Sequence, residues 1–579
     1  MGDIQPINLE SKDLVAERVA QIKELFPEIV TEGDGSIDFE KLRLILGDEV
    51  DEGDERYAFT WPGKADAIRQ AQTVSTATLR PCLEKSVNWD TTRNLYIEGD
   101  NLEVLKLLQR GYHGKVKMIF IDPPYNTGHD FVYRDSFGNS IENYKEQAGL
   151  SSQSNADTSG RYHSNWCSMM YPRLKLAREL LSDAGIIAIT IDDNEYSNLK
   201  LMADEIFGIS NYLSTIVWQK TLTRRNDAKQ ISNAHDYILL YARKIESVTI
   251  KKEAPSSKQR ETYTNRDKDP RGDWLAVPFH APNIRPNLTY EITLPSGRKV
   301  LPPKGRCWST SKANFDALVN DGRIWFGKDG DGMPQRKKFW SERGSEEGVV
   351  PWTWWDYEFA GENREATREI KELFDDATVF TAPKPTKLID KILNLVSLES
   401  GIILDFFAGS STTAHSIIKA NHTGKNFQFV LVQIPELISD SAVAFELGYH
   451  NLCELGEERI RRAGKKIAEE AEVSNRQLKL GEEPKKVPDI GFRVLKLDDS
   501  GIAQPEPGQL ILNRIKPDHS DEDIIFEMML KWGLDLSSSI EKLELGGLSL
   551  LFSCRRRTCL LPSGWTNDRG NSRDSRYAA

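Results

Sequence analysis

The stretch NLYIEGDNLEVLKLLQRGYHGKVKMIFIDPPYN, residues 94–126, reads as a strand, a turn, an amphipathic helix, a loop and a second strand. Asp100 or Asn101 can cap the helix, whose leucines share one face. A strand–helix–strand order predicts two parallel strands of an α/β sheet. The second strand ends unusually, because an aspartate, two prolines and a tyrosine follow its apolar run directly.

The same predicted alternation of helices and strands continues after this stretch and recurs in the later part of the chain. Residues 166–193, WCSMMYPRLKLARELLSDAGIIAITIDD, read as a helix, a glycine turn and a buried strand. Residues 400–436, SGIILDFFAGSSTTAHSIIKANHTGKNFQFVLVQIPE, read as a strand, a glycine turn, a helix and a strand. Strands that alternate with helices predict a mostly parallel sheet, built here from two separate halves of the chain.

A basic and tryptophan-rich segment separates the two halves. Residues 219–272 contain 13 Lys and Arg against 7 Asp and Glu, and the chain beyond them is rich in Trp, Gly and Pro. This composition predicts an inserted β-rich domain, with the segment VVPWTWW (349–355) in its core. The predicted division is an N-terminal extension (1–90), a first α/β half (91–219), the insert (220–355), a second α/β half (356–472) and a C-terminal region (473–579).

The bulk composition limits the class of protein. The chain has 579 residues and a net charge of −11, which argues against a protein coated in nucleic acid but leaves room for a local basic groove. No apolar stretch approaches the length of a membrane span, and the polar start does not resemble a secretory signal. Six scattered cysteines without a CxxC pair favour a reduced cytoplasmic protein with no structural zinc.

The end of the chain differs from the rest. After Ser553 it reads CRRRTCLLPSGWTNDRGNSRDSRYAA, with six Arg and no Lys. The preceding LGGLSLLFS (545–553) predicts the start of a hairpin that lacks a partner strand. Two interpretations stay open: a tail foreign to the fold, as after a frameshift or truncation, or a disordered basic tail.

The segment LDFFAGSSTT, residues 404–413, is a candidate ligand turn. A buried strand ends at Asp405, and the small residues Ala408, Gly409 and Ser410 allow a ligand to approach the backbone closely. The next strand ends near Glu436, where an acid can hold ribose hydroxyls. The pattern favours a nucleoside-type cofactor, and a purely structural glycine turn is the alternative.

The segment DPPY, residues 122–125, suits chemistry on the exocyclic amine of a base. The lone pair of such an amine is delocalised, and two acceptors, the Asp122 carboxylate and the Pro123 carbonyl, would localise it towards an electrophile. Pro124 removes a competing N–H, and Tyr125 can stack on a base that has been flipped out of a duplex. The alternative is a strand that ends in a proline turn with a packed tyrosine.

With these motifs in place, residues 90–440 resemble the β-class DNA adenine-N6 methyltransferases, and most closely the modification (Mod) subunits of type III restriction–modification systems. The resemblance is carried by IEGDNLEVLKLL, DPPYNTG, GIIAITIDDNEYSNLK, SNAHDYILLYAR, PKPTKLIDKIL and DFFAGSSTT. It implies an α/β, Rossmann-like S-adenosylmethionine-dependent methyltransferase fold that is circularly permuted, with an inserted target-recognition domain and terminal extensions.

The resemblance also implies a role for each site residue. Asp122, Pro123, Pro124 and Tyr125 would hold the target adenine, and no metal would be needed. S-adenosylmethionine would lie against the following residues: Asp100 and Asn101 at its adenine, Lys384 and Pro385 at its methionine end, Glu436 at its ribose, and Asp405, Phe406, Ala408, Gly409 and Ser410 along the turn. The family usually has Gly where this chain has Ser411, and we expect Ser411 to be helical and the loss of cofactor affinity to be modest.

The implied partners are duplex DNA, a second copy of the chain and a restriction (Res) subunit. Within the basic insert we expect DNA contacts from Lys220, Arg224, Arg225 and Lys229. Three alternatives stay open: an N4-cytosine methyltransferase, which more often carries Ser at the position of Asp122, a methyltransferase acting on structured RNA, and a non-catalytic subunit that only binds DNA.

Overall fold

The computed structural model describes most of the chain and divides it into two compact units. The first comprises Met1–Thr249 and Trp352–Ala579, and the second comprises Ile250–Pro351. The described residues are 10–26, 29–31, 35–39, 42, 59–127, 161–224, 230–253, 260–342, 348–478, 484, 486–502, 515–538, 540–545, 548–553 and 561–562. Among the helices they form, none is long and apolar enough to cross a lipid bilayer.

The helices and strands of both units are numbered together in chain order, and they alternate along much of the first unit. The helices are α1 (Leu14–Leu25), α2 (Lys64–Gln72), α3 (Asn101–Tyr112), α4 (Arg161–Leu180), α5 (Tyr196–Phe207), α6 (Lys312–Asn320), α7 (Tyr357–Ala360), α8 (Asn363–Leu373), α9 (Thr386–Leu395), α10 (Thr412–His422), α11 (Val443–Glu446), α12 (Leu452–Arg476) and α13 (Asp521–Trp532). The strands are β1 (Thr78–Pro81), β2 (Leu95–Glu98), β3 (Val116–Ile121), β4 (Leu181–Ile191), β5 (Tyr212–Gln219), β6 (His235–Ala242), β7 (Trp274–Pro278), β8 (His280–Pro282), β9 (Ile292–Thr293), β10 (Lys299–Val300), β11 (Arg306–Trp308), β12 (Ile324–Trp325), β13 (Gln335–Phe339), β14 (Trp354–Trp355), β15 (Ser400–Asp405), β16 (Asn426–Gln433), β17 (Arg493–Asp498), β18 (Ile540–Leu545), β19 (Leu548–Ser553) and β20 (Leu561–Pro562).

A ten-stranded sheet forms the centre of the first unit, in the order β1-β17-β2-β16-β15-β3-β4-β6-β5-β14. From β17 to β4 all neighbours are parallel. Strand β6 pairs antiparallel with β4 and β5, and β1 pairs antiparallel with β17. The prediction of a mostly parallel α/β sheet is confirmed, and β15 and β16 from the second half lie between β2 and β3 from the first.

Burial explains why the central strands read as continuous apolar runs. Every residue of β2 is buried, and so is every residue of β16 after Asn426. A parallel sheet that is covered on both faces needs such runs. Helix α3 packs against α4, while α10 packs against α9, α12 and β16. This packing leaves the strand ends, rather than the strand faces, to carry polar residues.

The second unit is β-rich, as predicted, and has its own core. It contains a three-stranded sheet in the order β12-β13-β7 and the two-stranded pairs β9–β10 and β8–β11. Its core is formed by Phe279, Ile292, Leu294, Val300, Trp308, Phe315 and Ile324. The unit lies inside the predicted insert 220–355, but β6, which that range includes, belongs to the large sheet.

Two other expectations from the sequence are wrong. Trp355 is fully buried, but Trp352 and Trp354 are 62% and 45% exposed, so the VVPWTWW segment is not wholly core. Strand β19 has a partner, because it pairs antiparallel with β18 and also with β20. Apart from β20, the residues after Ser553 lie outside the described residues.

Candidate functional site

The two predicted half-sites lie at neighbouring strand ends. Strand β15 pairs parallel with β3, with Leu404 opposite Ile119. Asp405 ends β15, and Asp122 directly follows β3. Because neighbouring strands are about 4.8 Å apart, the turns after them share one edge of the sheet. The structure thus brings together segments that are far apart in the sequence, while the roles of their residues stay predictions.

Asp122 is held by two side chains from different parts of the chain. Its Oδ1 accepts a hydrogen bond from the Thr190 hydroxyl at 2.5 Å, and its Oδ2 lies 2.6 Å from Nζ of Lys384. Thr190 belongs to β4, the strand next to β3. Lys384 comes from the second half of the chain and also lies over the Tyr125 ring, 4.9 Å from its centroid.

The proline turn is fixed in position by residues that the sequence interpretation missed. The indole of Trp166 donates to the Pro124 carbonyl at 2.7 Å. Asn126 is buried with φ +59°, and its amide donates to the Glu195 carboxylate. No described residue donates to the Pro123 carbonyl. The turn is therefore rigid, with the Pro123 oxygen available as an acceptor.

A second buried carboxylate, Asp236, lies in the same region and was not predicted. Lys220 donates to its Oδ1 at 2.5 Å. Burial raises the pKa of Asp236, and the cations Lys384 and Lys220 oppose that rise. Lys220 is therefore paired with a buried carboxylate inside the protein, and its expected contact with DNA stays a prediction. Arg224 is exposed, while Arg225 and Lys229 lie outside the described residues.

Asp405 is buried at the start of the ligand turn. Its Oδ2 accepts from the Thr413 hydroxyl at 2.6 Å, and its Oδ1 accepts from the Phe407 amide at 3.0 Å. Burial raises the pKa of Asp405 to about 7, and the negative charge of Asp122 also raises it. Neither of its hydrogen-bond partners is a cation, so positive charge placed nearby would stabilise the ionised form.

The backbone of the turn depends on a glycine and contradicts one expectation. Gly409 has φ +50°, a region that favours glycine, and its amide donates to Gln433 at 2.7 Å. Ser411 has φ +60° and precedes α10 as its N-cap, so the expectation that it is helical is wrong. Its hydroxyl is buried and makes no hydrogen bond with any described residue.

Arg459 supports this turn from α12, and no sequence signal distinguished it from its charged neighbours. Its Nη1 donates to the carbonyl and the hydroxyl of Ser410 at 3.1 and 2.8 Å, and to the Thr412 hydroxyl at 2.6 Å. Burial lowers the pKa of the guanidinium to about 10. Arg459 thereby connects α12 to the ligand turn.

Asp100 and Asn101 connect the first α/β half to this turn. Asp100 caps α3 by accepting from the Glu103 amide at 3.1 Å, and it also contacts Arg173 at 3.2 Å. The Asn101 amide donates to the Phe406 carbonyl at 2.7 Å. The helix-cap role considered for Asp100 is confirmed, and its predicted role at a cofactor stays a prediction.

Glu436 and Pro385 are the remaining predicted cofactor residues. The Glu436 carboxylate follows β16, burial raises its pKa, and no described side chain donates to it. Pro385 is the N-cap of α9 and is buried beside Lys384. Among the described residues, Glu436 has no donor to its carboxylate and Asp405 has no cationic hydrogen-bond partner. Together with the glycine-dependent turn, these two acids fit a cationic nucleoside cofactor.

Comparison with known proteins supports the same interpretation. A family model described as DNA methylase matches residues 116–443. The StyLTI Mod subunit of a type III restriction-modification enzyme from Salmonella typhimurium is 38% identical over 449 residues, which cover 75% of this chain and 67% of that protein. The EcoP15I Mod subunit from Escherichia coli is 30% identical over 609 residues, which cover 96% of this chain and 89% of that protein.

Similarity to solved structures is weaker. The match to the cytosine-N4-specific PvuII DNA methyltransferase covers 64% of this chain and 96% of that protein. The identity is 9% and the TM-score is 0.30, which is too low to support a conclusion. The family model spans more than half of the chain, and the EcoP15I relative is matched over nearly its whole length. The chain is therefore a DNA methyltransferase and belongs to the Mod subunits of type III restriction-modification enzymes.

Proposed function

We propose that this chain transfers the methyl group of S-adenosylmethionine to N6 of an adenine that is flipped out of duplex DNA. The observation that carries the proposal is the meeting of two turns at one sheet edge, since Asp122 follows β3 and Asp405 ends the neighbouring β15. One turn offers acceptors for an amine, and the other suits a nucleoside with a positive charge. Methyl transfer needs these two partners side by side.

The DPPY turn would activate the adenine amine by accepting its two hydrogens. Asp122 supplies one acceptor, and the Pro123 carbonyl, which no described residue occupies, supplies the other. Trp166 holds the turn through the Pro124 carbonyl, so both acceptors are fixed before the base arrives. Tyr125 offers an aromatic face to a base that has left the stack.

When bound, S-adenosylmethionine supplies an electrophilic methyl group on a sulfonium. The residues that would hold it are Asp100, Asn101, Lys384, Pro385, Asp405, Phe406, Ala408, Gly409, Ser410 and Glu436. Ionised Asp405 would stabilise positive charge near the turn, and the unpartnered Glu436 would accept from hydroxyl groups. Activation of the amine then depends on acceptors and position alone, so we expect methyl transfer to proceed without a metal ion.

We further propose that the substrate is duplex DNA and that the protein acts in the cytoplasm, where the DNA lies. We also propose that the chain forms a homodimer and binds a Res subunit. The basis for the partner is the printed name of the relatives, which are Mod subunits of type III restriction-modification enzymes. The second unit, which is basic and separately folded, is the proposed target-recognition domain. Copurification with a Res subunit and light scattering of the purified chain would test these two associations.

The test of the reaction is methyl transfer by the purified protein. Labelled S-adenosylmethionine and plasmid DNA should yield N6-methyladenine after digestion to nucleosides. Asp122→Asn should lower the rate by at least ~100-fold, since it removes one charged acceptor, while cofactor binding measured by calorimetry persists. Asp183→Asn is the matched control, because Asp183 is exposed and its ion-pair partner among the described residues is Lys244.

Two results would contradict the proposal. Recovery of N4-methylcytosine in place of N6-methyladenine would replace adenine with cytosine as the target. DNA binding without any methyl transfer would leave the chain a specificity subunit. Sequencing that detects modified bases, in cells with and without the gene, would give the methylated base and its sequence context together.

A further inference from the structure

Lys384 reaches from the second α/β half into the proposed target site. Its Nζ lies 2.6 Å from Oδ2 of Asp122 and 4.9 Å from the centroid of the Tyr125 ring. Only 10% of the Lys384 side chain is exposed, so the ammonium is held between the carboxylate and the aromatic ring. The proposed function assigns these same two groups to the target adenine, and the inference below rests on that proposal.

The ammonium and the adenine amine compete for one acceptor. The other oxygen of Asp122 already accepts the Thr190 hydroxyl at 2.5 Å, so Oδ2 is the oxygen left for the base. A cation at hydrogen-bond distance also neutralises the charge that would localise the lone pair of the amine. Lys384 must therefore leave Asp122 before methyl transfer can occur.

Lys384 needs another anion, because a poorly hydrated ammonium without a partner is costly. Asp236, the second buried carboxylate in this region, is already paired with Lys220 at 2.5 Å. Lys384 precedes α9, and the carbonyl of Thr386 at the start of α9 accepts from Ser416 of α10 at 3.2 Å. Since α10 directly follows the ligand turn, the segment that carries Lys384 contacts both the DPPY turn and the helix after the ligand turn.

The cofactor itself carries the missing anion. In S-adenosylmethionine a carboxylate is joined by a short carbon chain to the sulfur that bears the reactive methyl group. In the proposed reaction that methyl group would face the amine held by Asp122, which would bring the carboxylate within range of the Lys384 side chain that now contacts Asp122. The positive sulfonium would at the same time repel Lys384 from its present position.

We propose that Lys384 is a positioning residue that couples the two substrates. It fills the amine position of the cofactor-free enzyme and moves to the cofactor's carboxylate, so that the target base enters only after the cofactor has bound. Because coupling between two sites is reciprocal, entry of the base must also tighten cofactor binding. Coupling of this kind is about 5- to 150-fold, and we expect roughly tenfold from one ion pair.

The first experiment needs no variant. A duplex carries 2-aminopurine beside the target adenine, so that fluorescence rises when the adenine unstacks. The full-length protein is tested alone, with S-adenosylhomocysteine and with 5′-methylthioadenosine, which lacks the amino-acid group. S-adenosylhomocysteine should raise the flipped population about tenfold, and saturating 5′-methylthioadenosine should leave it at the cofactor-free level.

The second experiment removes the ammonium. Lys384→Met should flip the adenine without any cofactor, to within roughly twofold of the population in the loaded wild type. Lys387→Met is the matched control on α9, because the Lys387 ammonium donates to the Glu358 carbonyl and to no other described residue, and this variant should leave the dependence on cofactor unchanged. A purely structural role of Lys384 would lower thermal stability and leave the difference between the two ligands intact.

Three outcomes would overturn the inference: full flipping by the unliganded wild type, equal effects of the two ligands, or a folded Lys384→Met that still needs cofactor. If that variant does not fold, the comparison of the two ligands in the wild type still tests whether the cofactor's amino-acid group controls base flipping. Methyl transfer by the wild type is measured in parallel. Its absence would refute the proposed function, whereas methyl transfer with cofactor-independent flipping would refute only the role of Lys384.

Discussion

Ser411 combines two unfavourable features in one side chain. Its backbone has φ +60° and ψ 34°, where a Cβ atom costs about 1–2 kcal/mol. Its buried hydroxyl makes no hydrogen bond with any described residue, which adds the cost of an unsatisfied polar group. The sequence suggested a helical residue here, but α10 begins one position later, at Thr412, and its N-cap is left-handed.

Ser411→Gly should stabilise the protein. Glycine removes the strain of the left-handed backbone and the cost of the unsatisfied buried hydroxyl, and this gain exceeds the entropic cost of glycine. We therefore expect the free energy of unfolding to rise by about 1 kcal/mol in urea titrations. Ser416→Gly is the contrasting control, because Ser416 is helical and donates to the Thr386 carbonyl at 3.2 Å. Equal or lower stability of Ser411→Gly would show that the hydroxyl contributes something favourable.

Asp405 should make cofactor binding depend on pH. Burial raises its pKa to about 7 from the ordinary value of 3.8, so the folded protein retains a proton that the unfolded chain releases at lower pH. A positively charged cofactor favours the ionised form. Affinity for S-adenosylmethionine should therefore rise as the pH increases through about 7, with release of a proton on binding below that pH.

Calorimetry between pH 6 and pH 8.5, in buffers of different ionisation enthalpy, would measure both effects of Asp405. Asp405→Asn should bind more weakly at high pH and lose the dependence on pH. Affinity of the wild type that falls as the pH rises would contradict the placement of positive charge at this carboxylate. As the pH rises from about 4 to about 7, the free energy of unfolding should decline. In this range Asp405 is ionised in the unfolded chain but still protonated in the folded protein.

At the scale of elements, α12 comes close to the ligand turn through a glycine. A Cβ atom on Gly456 would lie 2.6 Å from the Ser411 hydroxyl oxygen, 2.9 Å from that of Tyr96 and 3.3 Å from the Gly409 carbonyl oxygen. Alanine normally favours a helix by about 1 kcal/mol over glycine. Here the added methyl group would instead push α12 away from the turn.

Gly456→Ala should therefore weaken binding of S-adenosylmethionine, by about tenfold in calorimetry. Ser411→Gly in the same molecule removes the nearest clash and should restore part of the affinity, which gives a coupling energy of about 1 kcal/mol. Gly464→Ala on the same helix is the control, because the atoms nearest to its added Cβ belong to Ile490, and we expect affinity to be unchanged. Additive effects of the two substitutions would contradict direct contact.

The ends of strands could be predicted from the sequence, whereas the partners of their side chains could not. Asp122 and Asp405 each follow an apolar run, which is a local signal. Lys384 is 262 positions from Asp122, and Arg459 is one of several arginines on a charged helix, so nothing local marks either contact. Only the fold brings such residues together, and burial then determines which of them make contact.

The start of the insert was misplaced for a related reason. Lys and Arg flank the apolar strand β6, and a count of charge over residues 219–272 averages across it. Strand pairing shows that β6 belongs to the large sheet, because Ile186 of β4 lies opposite Ala242 of β6. Composition thus indicated an insert, while hydrogen bonding between strands assigns β6 to the large sheet, and the second unit begins later, at Ile250.

At the scale of the whole molecule, the two units differ in charge. The chain carries a net charge of −11, but residues 250–351 contain 19 Lys and Arg against 13 Asp and Glu. Several of these cations are exposed on the second unit, among them Arg336 and Lys338, whereas Lys337 between them is buried against Asp269. An acidic protein thus presents a basic unit that suits the phosphates of DNA.

Exchange of residues 250–351 for the corresponding segment of a related Mod subunit should change the DNA sequence that is methylated. The second unit has its own core around Trp308 and Phe315, and the proposed catalytic and cofactor residues all belong to the first. Because the second unit has a core of its own, the chimaera should fold and bind S-adenosylmethionine within roughly twofold of the parent. Sequencing that detects modified bases would then report the site of the donor.

Two controls make this exchange decisive. The Asp122→Asn version of the chimaera should give no methylation at the new site, which excludes a contaminating enzyme. Lys338→Ala in the parent should weaken DNA binding and reduce its dependence on salt without altering the methylated sequence, because a single phosphate contact carries no sequence information. A chimaera that binds cofactor but still methylates the parental site would place recognition in the first unit, and the basic charge of the second would then serve only general affinity for DNA.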